Sequence, residues 1–232
     1  MIQDHSRSAN RFLSALPKVE YQRLEPYLTS VNLPVKQVLY EAGEKIDTVY
    51  FPNTALISIV DILSNGLTTE IALVGGTGMI GLPVILSRGY SDRRAIVQVA
   101  GSAIKISAVV LKREFHRGGK LQRLLLDYAQ IRFTEVAQLA VCNRHHIIEE
   151  RLARWLLTVQ DLTQSQVLPL THEFISNMLG VRRSGVTIAA GTLQKAGLIR
   201  YSRGQITILD REALVDTACE CYELFHHNYY RE

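Results

Sequence analysis

The stretch VGGTGMIGLP contains Gly76, Gly78 and Gly81 in the spacing G-x-G-x-x-G. In dinucleotide-binding proteins this spacing lets the backbone approach a pyrophosphate at the start of a helix, and an acidic residue about 20 positions later binds the ribose. Here Pro83 follows almost at once, and Gly101 stands where the acidic residue is needed. We therefore interpret the glycines as turn residues, and a nucleotide-dependent enzyme becomes a weak alternative.

Cationic side chains are concentrated between Thr171 and Gln205. This stretch contains one acidic residue, Glu173, and five basic ones: Arg182, Arg183, Lys195, Arg200 and Arg203. The whole chain has 26 Lys and Arg against 22 Asp and Glu, a net charge of +4. The stretch therefore carries an excess equal to that of the entire chain. A local basic patch on a nearly neutral chain indicates an anionic partner.

The three cysteines are Cys142, Cys219 and Cys221. They are too few for a disulfide framework and are typical of a reducing cytoplasm. If Cys219 and Cys221 share a helix, their side chains point about 200° apart and cannot bind one metal ion. We therefore predict no metal site. Cys142 is interpreted as a buried apolar thiol, with a redox contact to its own copy across a dimer as the alternative.

Enzyme signatures are missing from the sequence. His172-Glu173 is not followed by a histidine at position 176, and the chain has neither G-x-S-x-G nor a Walker lysine. No apolar run is long enough to span a bilayer, and residues 1–10 lack the apolar core of a signal peptide. We expect a cytoplasmic protein that is not an enzyme.

Short β-branched runs separated by turn residues dominate residues 31–107. They are Val38–Tyr40, Thr48–Phe51, Leu56–Val60, Thr69–Val74 and Ala95–Val99. Asn65-Gly66 between two of these runs is a strong hairpin signal. Many short strands at near-regular spacing predict an antiparallel roll or sandwich.

The stretch from Leu121 to Thr158 contains neither proline nor glycine, which predicts one long helix. One apolar stripe of this helix comprises Leu126, Phe133, Val136 and Ala140, and a neighbouring stripe comprises Leu121, Leu125, Tyr128 and Leu139. A long helix with two apolar stripes can pack on its own domain and on a second copy of itself. We therefore predict a homodimer.

A new pattern begins after Asp161. Thr171 is a good helix N-cap and Gly180 a good helix end. A second helix follows up to Gly197, and two alternating strands then surround Ser202-Arg203-Gly204. This order is that of a winged helix-turn-helix. Arginines at the start of the second helix oppose its dipole, so we expect that end to face an anionic duplex.

Residues 170–209 resemble the DNA-binding domain of the cyclic-AMP receptor protein / fumarate–nitrate regulator (CRP/FNR) family. The matching or nearly matching positions are Thr171, Ile175, Ser176, Leu179, Gly180, Arg183, Val186, Leu193 and Gly197-Leu198-Ile199. Arg182, Ser184 and Gly185 depart from the family pattern; these departures affect the expected operator sequence and not the mode of binding.

The resemblance implies an α+β chain in three parts. These are a cyclic-nucleotide-binding-like, jelly-roll-type β-roll over residues 1–120, a dimerisation helix over 121–158, and a winged helix-turn-helix over 159–232. The expected partner is double-stranded DNA, with RNA polymerase as a further candidate and no membrane contact. The predicted DNA-binding residues are Thr171, Arg182, Arg183, Ser184, Thr187, Lys195, Arg200 and Arg203.

The resemblance also implies where an effector binds the roll. Gly81 and Leu82 stand where the family's phosphate-binding cassette begins, and Arg93 and Arg94 stand where its arginine motif lies. Leucine cannot accept hydrogen bonds from ribose hydroxyls as the family's glutamate does. We expect no cofactor, and an effector other than cyclic AMP. An effector-binding module, or a redox or gas sensor whose C-terminal domain contacts protein, remains the alternative.

Overall fold

The structure is a computed structural model that describes residues 9–230 and divides into two compact units. The first unit comprises Met1–Val60 and Ala72–Arg132, and the second comprises Asp61–Ile71 and Phe133–Glu232. Among the helices of residues 9–230, none has both the length and the apolar character that crossing a membrane requires.

Two antiparallel sheets form the N-terminal part of the chain. Their strands are β1 (Thr29–Leu33), β2 (Val38–Tyr40), β3 (Thr48–Pro52), β4 (Leu56–Ile62), β5 (Thr68–Val74), β6 (Arg94–Val99) and β7 (Gly101–Ser107). One sheet has the order β1-β7-β3 and the other β2-β6-β4-β5. Strand β7 pairs antiparallel with β1 and β3, and β6 with β2 and β4. The predicted α+β class with N-terminal antiparallel sheets is confirmed.

The sequence pattern located five of these strands and missed β1 and β7. Three of the five residues of β1 are polar (Thr29, Ser30 and Asn32), and Ser102, Lys105 and Ser107 interrupt the apolar residues of β7, so the apolar signal of both strands is weak. Apolar residues such as Phe51, Ile57 and Ile80, each with no exposed surface, form the core of the roll. The predicted Asn65-Gly66 turn is present between β4 and β5, with Gly66 at φ 82°.

Short α-helices complete this part of the described chain: α1 (Arg11–Ser14), α2 (Lys18–Leu24), α3 (Pro83–Leu86) and α4 (Ala108–His116). Pro17 is the N-cap of α2. It separates the first two helices, because proline lacks the amide hydrogen that a helix interior needs.

The three fingerprint glycines lie in the connection between β5 and α3, where each one allows a close approach within the roll. A Cβ on Gly78 would lie 2.5 Å from the Tyr128 hydroxyl, and one on Gly76 would lie 3.0 Å from the Asn53 carbonyl oxygen. Gly81 has φ 120°, a backbone that favours glycine. Because the neighbouring strands are antiparallel, the parallel crossover unit of a dinucleotide site is not formed here.

The helices of the C-terminal part are α5 (Lys120–His145), α6 (Ile148–Thr163), α7 (His172–Leu179), α8 (Arg183–Lys195), α9 (Arg211–Thr217) and α10 (Cys221–Tyr230). Three strands form a small sheet in the order β8-β10-β9: β8 (Val167–Leu168), β9 (Ile199–Ser202) and β10 (Gln205–Ile208). Strands β9 and β10 are the predicted hairpin, whereas the two-residue strand β8 was not predicted.

The single long helix predicted for residues 121–158 is wrong, because α5 ends at His145 and Ile147 is an extended N-cap (ψ 164°) for α6. The charges around the break are those of two helix ends. Arg144 and His145 lie in the last turn of α5, and Glu149 and Glu150 lie in the first turn of α6. Each set interacts favourably with the dipole of its own helix. The sequence NRHHIIEE therefore does indicate a helix break, although it contains neither proline nor glycine.

Candidate nucleic-acid interface

Helices α7 and α8 form the predicted helix-turn-helix, and both caps of α7 are those expected from the sequence. The Thr171 hydroxyl accepts a hydrogen bond from the Phe174 amide at 3.1 Å. Gly180 ends the helix in the left-handed conformation, φ 63°. Together these caps satisfy orphan backbone groups at both helix ends.

Helices α7 and α8 pack against α6. Its residues Arg151–Asp161 are all buried, and Trp155 packs against Phe174 of α7 with ring centroids 6.1 Å apart. The Arg151 guanidinium donates a hydrogen bond to the Leu179 carbonyl, which places a cation at the C-terminus of α7, where the helix dipole favours one.

Helix α8 has a buried apolar face and an exposed polar face. Its inner side packs with Val186, Ala189, Ala190 and Leu193, all buried. Its outer side carries the predicted DNA-binding residues Arg182, Arg183, Ser184, Thr187 and Lys195, all exposed. The first turn contains no acidic residue, and no side chain caps it. The positive end of the helix dipole and two arginines therefore face the same solvent region.

The hairpin of β9 and β10 holds the remaining predicted residues. Arg200 and Arg203 are exposed, and Arg203-Gly204 forms the two-residue loop between paired Ser202 and Gln205. Both loop residues have positive φ, 49° and 77°, as a type I′ hairpin turn requires. A Cβ on Gly204 would lie 3.5 Å from the Thr171 methyl group, so the hairpin tip lies beside the start of α7.

Contacts among four residues, His172, Thr187, Gln194 and Tyr201, connect α7, α8 and β9, and the sequence pattern did not identify these residues as a group. The His172 ring stacks on Tyr201 of β9 with centroids 4.0 Å apart, and its Nδ1 lies 3.1 Å from the Thr187 hydroxyl. Burial, with a contribution from the Arg183 charge, lowers the pKa of His172. Gln194 on α8 accepts a hydrogen bond from the Tyr201 amide at 2.7 Å. These contacts join residues distant in sequence, so no local pattern reveals them.

Gly185, which departs from the family pattern, lies where α8 meets α6. A Cβ at this position would lie 2.9 Å from the Ile148 Cδ1 atom of α6. The glycine therefore allows α8 to pack closely on α6, and this packing inside the protein explains its presence.

Three of the predicted effector residues lie between β5 and β6, and Arg94 is the first residue of β6; all four have contacts within the protein. Gly81 is packed against Val49, and Leu82 is half-buried against the core of the roll. The Arg94 guanidinium forms an ion pair with Glu41 at 2.7 Å. Arg93 donates from Nη1 to the carbonyl of the neighbouring Asp92 at 2.9 Å.

The two predicted stripes of α5 differ in exposure. Leu121, Leu125 and Tyr128 are buried, at 2%, 0% and 7% exposure. The predicted dimerisation stripe is open to solvent, with Leu126 at 47%, Phe133 at 72% and Val136 at 41% exposure, and Ala140 is also exposed. One stripe thus packs inside the chain, whereas the other is available to a partner.

The premise that Cys219 and Cys221 share a helix is wrong, so the expected separation of their side chains by about 200° does not apply. Helix α9 ends at Thr217 and α10 begins at Cys221. Cys142 does not face a second copy of the chain either. It is fully buried, and its Sγ atom lies 3.6 Å from the Cys219 Sγ atom of the same chain.

The pKa values of the Cys142 and Cys219 thiols are shifted in opposite directions. The hydrogen bond from Cys219, assisted by the Arg154 charge, lowers the pKa of Cys142 to about 4. The same hydrogen bond, together with burial, raises the pKa of Cys219. The hydrogen bond with Cys142 raises the pKa of His146.

A family model for the Crp-like helix-turn-helix domain matches residues 150–217. Among curated proteins, none matches the chain. Solved structures do share the fold. One of them, described as a transcriptional regulator of the crp/fnr family from Eubacterium rectale, has 18% identity and a TM-score of 0.72 over 90% of this chain and 98% of that one.

FixK2 from Bradyrhizobium japonicum has 19% identity and a TM-score of 0.70, over 83% of this chain and 98% of its own. A CRP-family transcriptional regulator from Thermus thermophilus has 20% identity and a TM-score of 0.69, over 81% and 96%. At these identities the structural similarity establishes the fold, and the domain match adds the helix-turn-helix. The chain therefore carries a Crp-like helix-turn-helix domain on the fold of the CRP/FNR transcription regulators.

Proposed function

We propose that this chain is a homodimeric transcription regulator that binds double-stranded DNA in a sequence-specific manner. The observation that carries the proposal is the outer face of α8, where exposed Arg182 and Arg183 stand at an uncapped helix start without an acidic neighbour in the first turn. This arrangement is unfavourable for an isolated helix. It becomes favourable when the helix enters the major groove with its first turn foremost.

Arg183 is the proposed base-reading residue, because a guanidinium can bind the O6 and N7 atoms of guanine in a bidentate manner. Ser184 and Thr187 extend the same exposed face. The Thr187 hydroxyl also donates to the Arg183 carbonyl at 3.1 Å, so its remaining contribution to DNA is through its other lone pair and its methyl group.

The phosphate contacts are assigned to residues around the rim of this face. Arg200 and Arg203 on the hairpin and Lys195 at the end of α8 are exposed cations, and Thr171 marks the start of α7 beside the hairpin tip. Phosphate contacts fix the position of a protein on the duplex and make its affinity depend on salt.

The exposed stripe of Leu126, Phe133, Val136 and Ala140 is the proposed dimer interface. A symmetric dimer presents two copies of α8 to the duplex. The operator would then be roughly palindromic, with half-sites about 34–36 Å apart. A signal received by the roll would act by biasing how the two α5 helices pack. Binding to chromosomal DNA would place the protein in the cytoplasm.

The effector is proposed to be other than cyclic AMP. Leu82 offers no acceptor to a ribose hydroxyl, and the Arg94 side chain is committed to Glu41. Arg93, which donates to the Asp92 carbonyl at 2.9 Å, is the other cation of the predicted set, and it lies beside the start of β6.

Two substitutions at Arg183 test the base-reading role. The probes are a genomic fragment selected by the wild-type protein and a shuffled duplex of equal length and composition. Arg183→Lys keeps the charge but loses bidentate geometry. It should cost about 1–3 kcal/mol on the selected fragment and little on the shuffled one. Arg183→Ala should add a small loss on both duplexes.

Arg88→Ala, which removes an exposed arginine from the roll, is the matched control and should leave both affinities unchanged. Equal losses on the two duplexes with Arg183→Lys would contradict base reading. If the wild-type protein binds neither duplex at low salt, the proposed function is wrong. That result would support the alternative in which the C-terminal domain contacts a protein.

A further inference from the structure

Four side chains with metal-binding atoms converge beside the end of α5. Cys142, His146, Cys219 and Cys221 place one ligand atom each within 4.8 Å of all the others. The Cys142 and Cys219 Sγ atoms are 3.6 Å apart, and the Cys221 Sγ atom is 3.7 Å from His146 Nδ1. The three cysteines are buried, and the imidazole is nearly so, with 13% of its side chain exposed.

These separations are close to those of a tetrahedral zinc site. With Zn–S bonds of about 2.3 Å and Zn–N bonds of about 2.0 Å, tetrahedral geometry places the ligand atoms about 3.5–3.8 Å from one another. The longest separation in the cluster therefore needs to contract by about 1 Å. Three cysteines and one histidine are also one of the usual ligand sets of structural zinc.

The backbone explains how the four residues meet. Cys142 and His146 are four positions apart at the end of α5, so they lie on one side of the chain there. Cys219 lies in the connection between α9 and α10, and Cys221 is the first residue of α10. Because this connection is not helical, the two cysteines are not held on opposite sides, as they would be within a helix.

The surroundings are those of a metal site as well. His146 turns Nδ1 toward the cysteines and places Nε2 3.0 Å from the Glu220 carboxylate. A carboxylate behind a ligating histidine orients the ring and raises its basicity. Gln138 donates from Nε2 to the Cys221 Sγ atom at 3.0 Å, as an amide does to a metal-bound thiolate.

The charge balance also favours a divalent ion. The buried guanidinium of Arg154, 4% exposed, packs over the Phe225 ring and acts electrostatically on Cys142 and Cys219. One divalent ion and one arginine together neutralise three thiolates.

We propose that Cys142, His146, Cys219 and Cys221 bind one Zn²⁺ ion per chain, which fastens the end of α5 to the α9–α10 connection. A single ion suits the cluster better than a cubane iron–sulfur cofactor, because each cysteine of such a cofactor binds a different iron and the cysteine sulfurs lie farther apart than they do here. Glu220 is a positioning residue that acts through His146. Binding requires deprotonated thiols, so it releases protons and tightens as pH rises.

The test measures metal content in protein purified without chelator and then incubated with ZnCl₂. Native mass spectrometry and elemental analysis should give one zinc per chain, and replacement by Co²⁺ should give the absorption bands of tetrahedral thiolate-bound cobalt. Cys142→Ser, Cys219→Ser, Cys221→Ser and His146→Ala should each lose zinc. His145→Ala, which changes the exposed neighbouring histidine, is the matched control and should keep it.

Two further measurements do not depend on how well the ligand variants fold. Glu220→Gln should weaken zinc binding about 10–100-fold while leaving the stoichiometry at saturation unchanged. In the wild-type protein, zinc should protect all three thiols from alkylation, and chelator should expose them together.

Several results would overturn the proposal. They are a wild-type protein that stays metal-free after incubation with ZnCl₂, bound iron with acid-labile sulfide, and a Cys142–Cys219 disulfide in the freshly purified protein. Loss of zinc from His145→Ala to the same extent as from His146→Ala would also contradict it. None of these outcomes depends on DNA binding, so this proposal and the proposed function are tested separately.

Discussion

Arg203 occupies a backbone position that arginine disfavours. Its φ of 49° lies in the left-handed region, where a residue with a Cβ is destabilised by about 1–2 kcal/mol. Asparagine, aspartate and glycine are the usual residues at this position of a type I′ turn. The hairpin therefore keeps an exposed cation at its tip at some expense of stability, which is consistent with a phosphate-binding role.

Replacing Arg203 by asparagine should separate stability from binding. We expect Arg203→Asn to raise the free energy of unfolding by up to about 1 kcal/mol, because asparagine tolerates this backbone. The same change should weaken DNA binding to all sequences alike and reduce the slope of affinity against salt concentration by about one. Chemical denaturation and a salt titration of binding measure the two effects.

Arg200→Asn is the matched control, because Arg200 lies within β9 and has no positive φ. It should weaken binding without any gain in stability. A stability gain of the same size in both variants would show that relief of charge repulsion, and not turn geometry, is responsible.

At the scale of the element, α8 contains two glycines with different environments. A Cβ on Gly185 would meet Ile148, whereas a Cβ on Gly191 would have nothing within 4 Å. Gly191 lies eight residues after Arg183, on the same side of the helix. The fold itself therefore does not require a glycine at position 191, where it weakens the helix.

We expect Gly191→Ala to raise the free energy of unfolding by about 0.5–1 kcal/mol, because alanine in a helix interior loses less backbone entropy than glycine. Thermal and denaturant unfolding measure the gain. Gly185→Ala is the comparison variant and should gain less, since Ile148 must move to admit the methyl group. An equal gain at both positions would mean that the α6–α8 contact is looser than the structure shows.

At the scale of the whole molecule, the open stripe of α5 leads to a prediction about assembly. Phe133→Asp places a charge on a side chain that is 72% exposed in the single chain, so the fold of each chain should be retained. In a dimer the same charge would be buried without a partner, which is strongly unfavourable. We expect the variant to be monomeric in analytical ultracentrifugation and to lose specific DNA binding.

Val109→Asp is the matched control, because Val109 of α4 is also an exposed apolar residue, 77% exposed, outside the stripe. It should leave the protein dimeric. A Phe133→Asp variant that remains dimeric would move the interface away from α5.

Features that depend on neighbours along the chain could be predicted from the order of the residues. The caps of α7 at Thr171 and Gly180, the hairpin around Arg203 and the two stripes of α5 follow from local periodicity, capping and turn chemistry, and the structure contains all of them. The basic pair Arg144/His145 and the acidic pair Glu149/Glu150 also mark the end of α5 and the start of α6. The uninterrupted helix-forming residues nevertheless led to the prediction of one helix.

Contacts between distant residues, in contrast, became visible in the folded chain alone. The ion pair of Arg94 with Glu41, the stacking of His172 on Tyr201 and the meeting of Cys142 with Cys219 join segments far apart in the chain. Each depends on how helices and strands pack, and no local propensity encodes that. The cysteine cluster shows the difference most clearly: a helical period applied to Cys219 and Cys221 excluded a shared site, but the chain leaves the helix between α9 and α10 and turns both thiols toward Cys142.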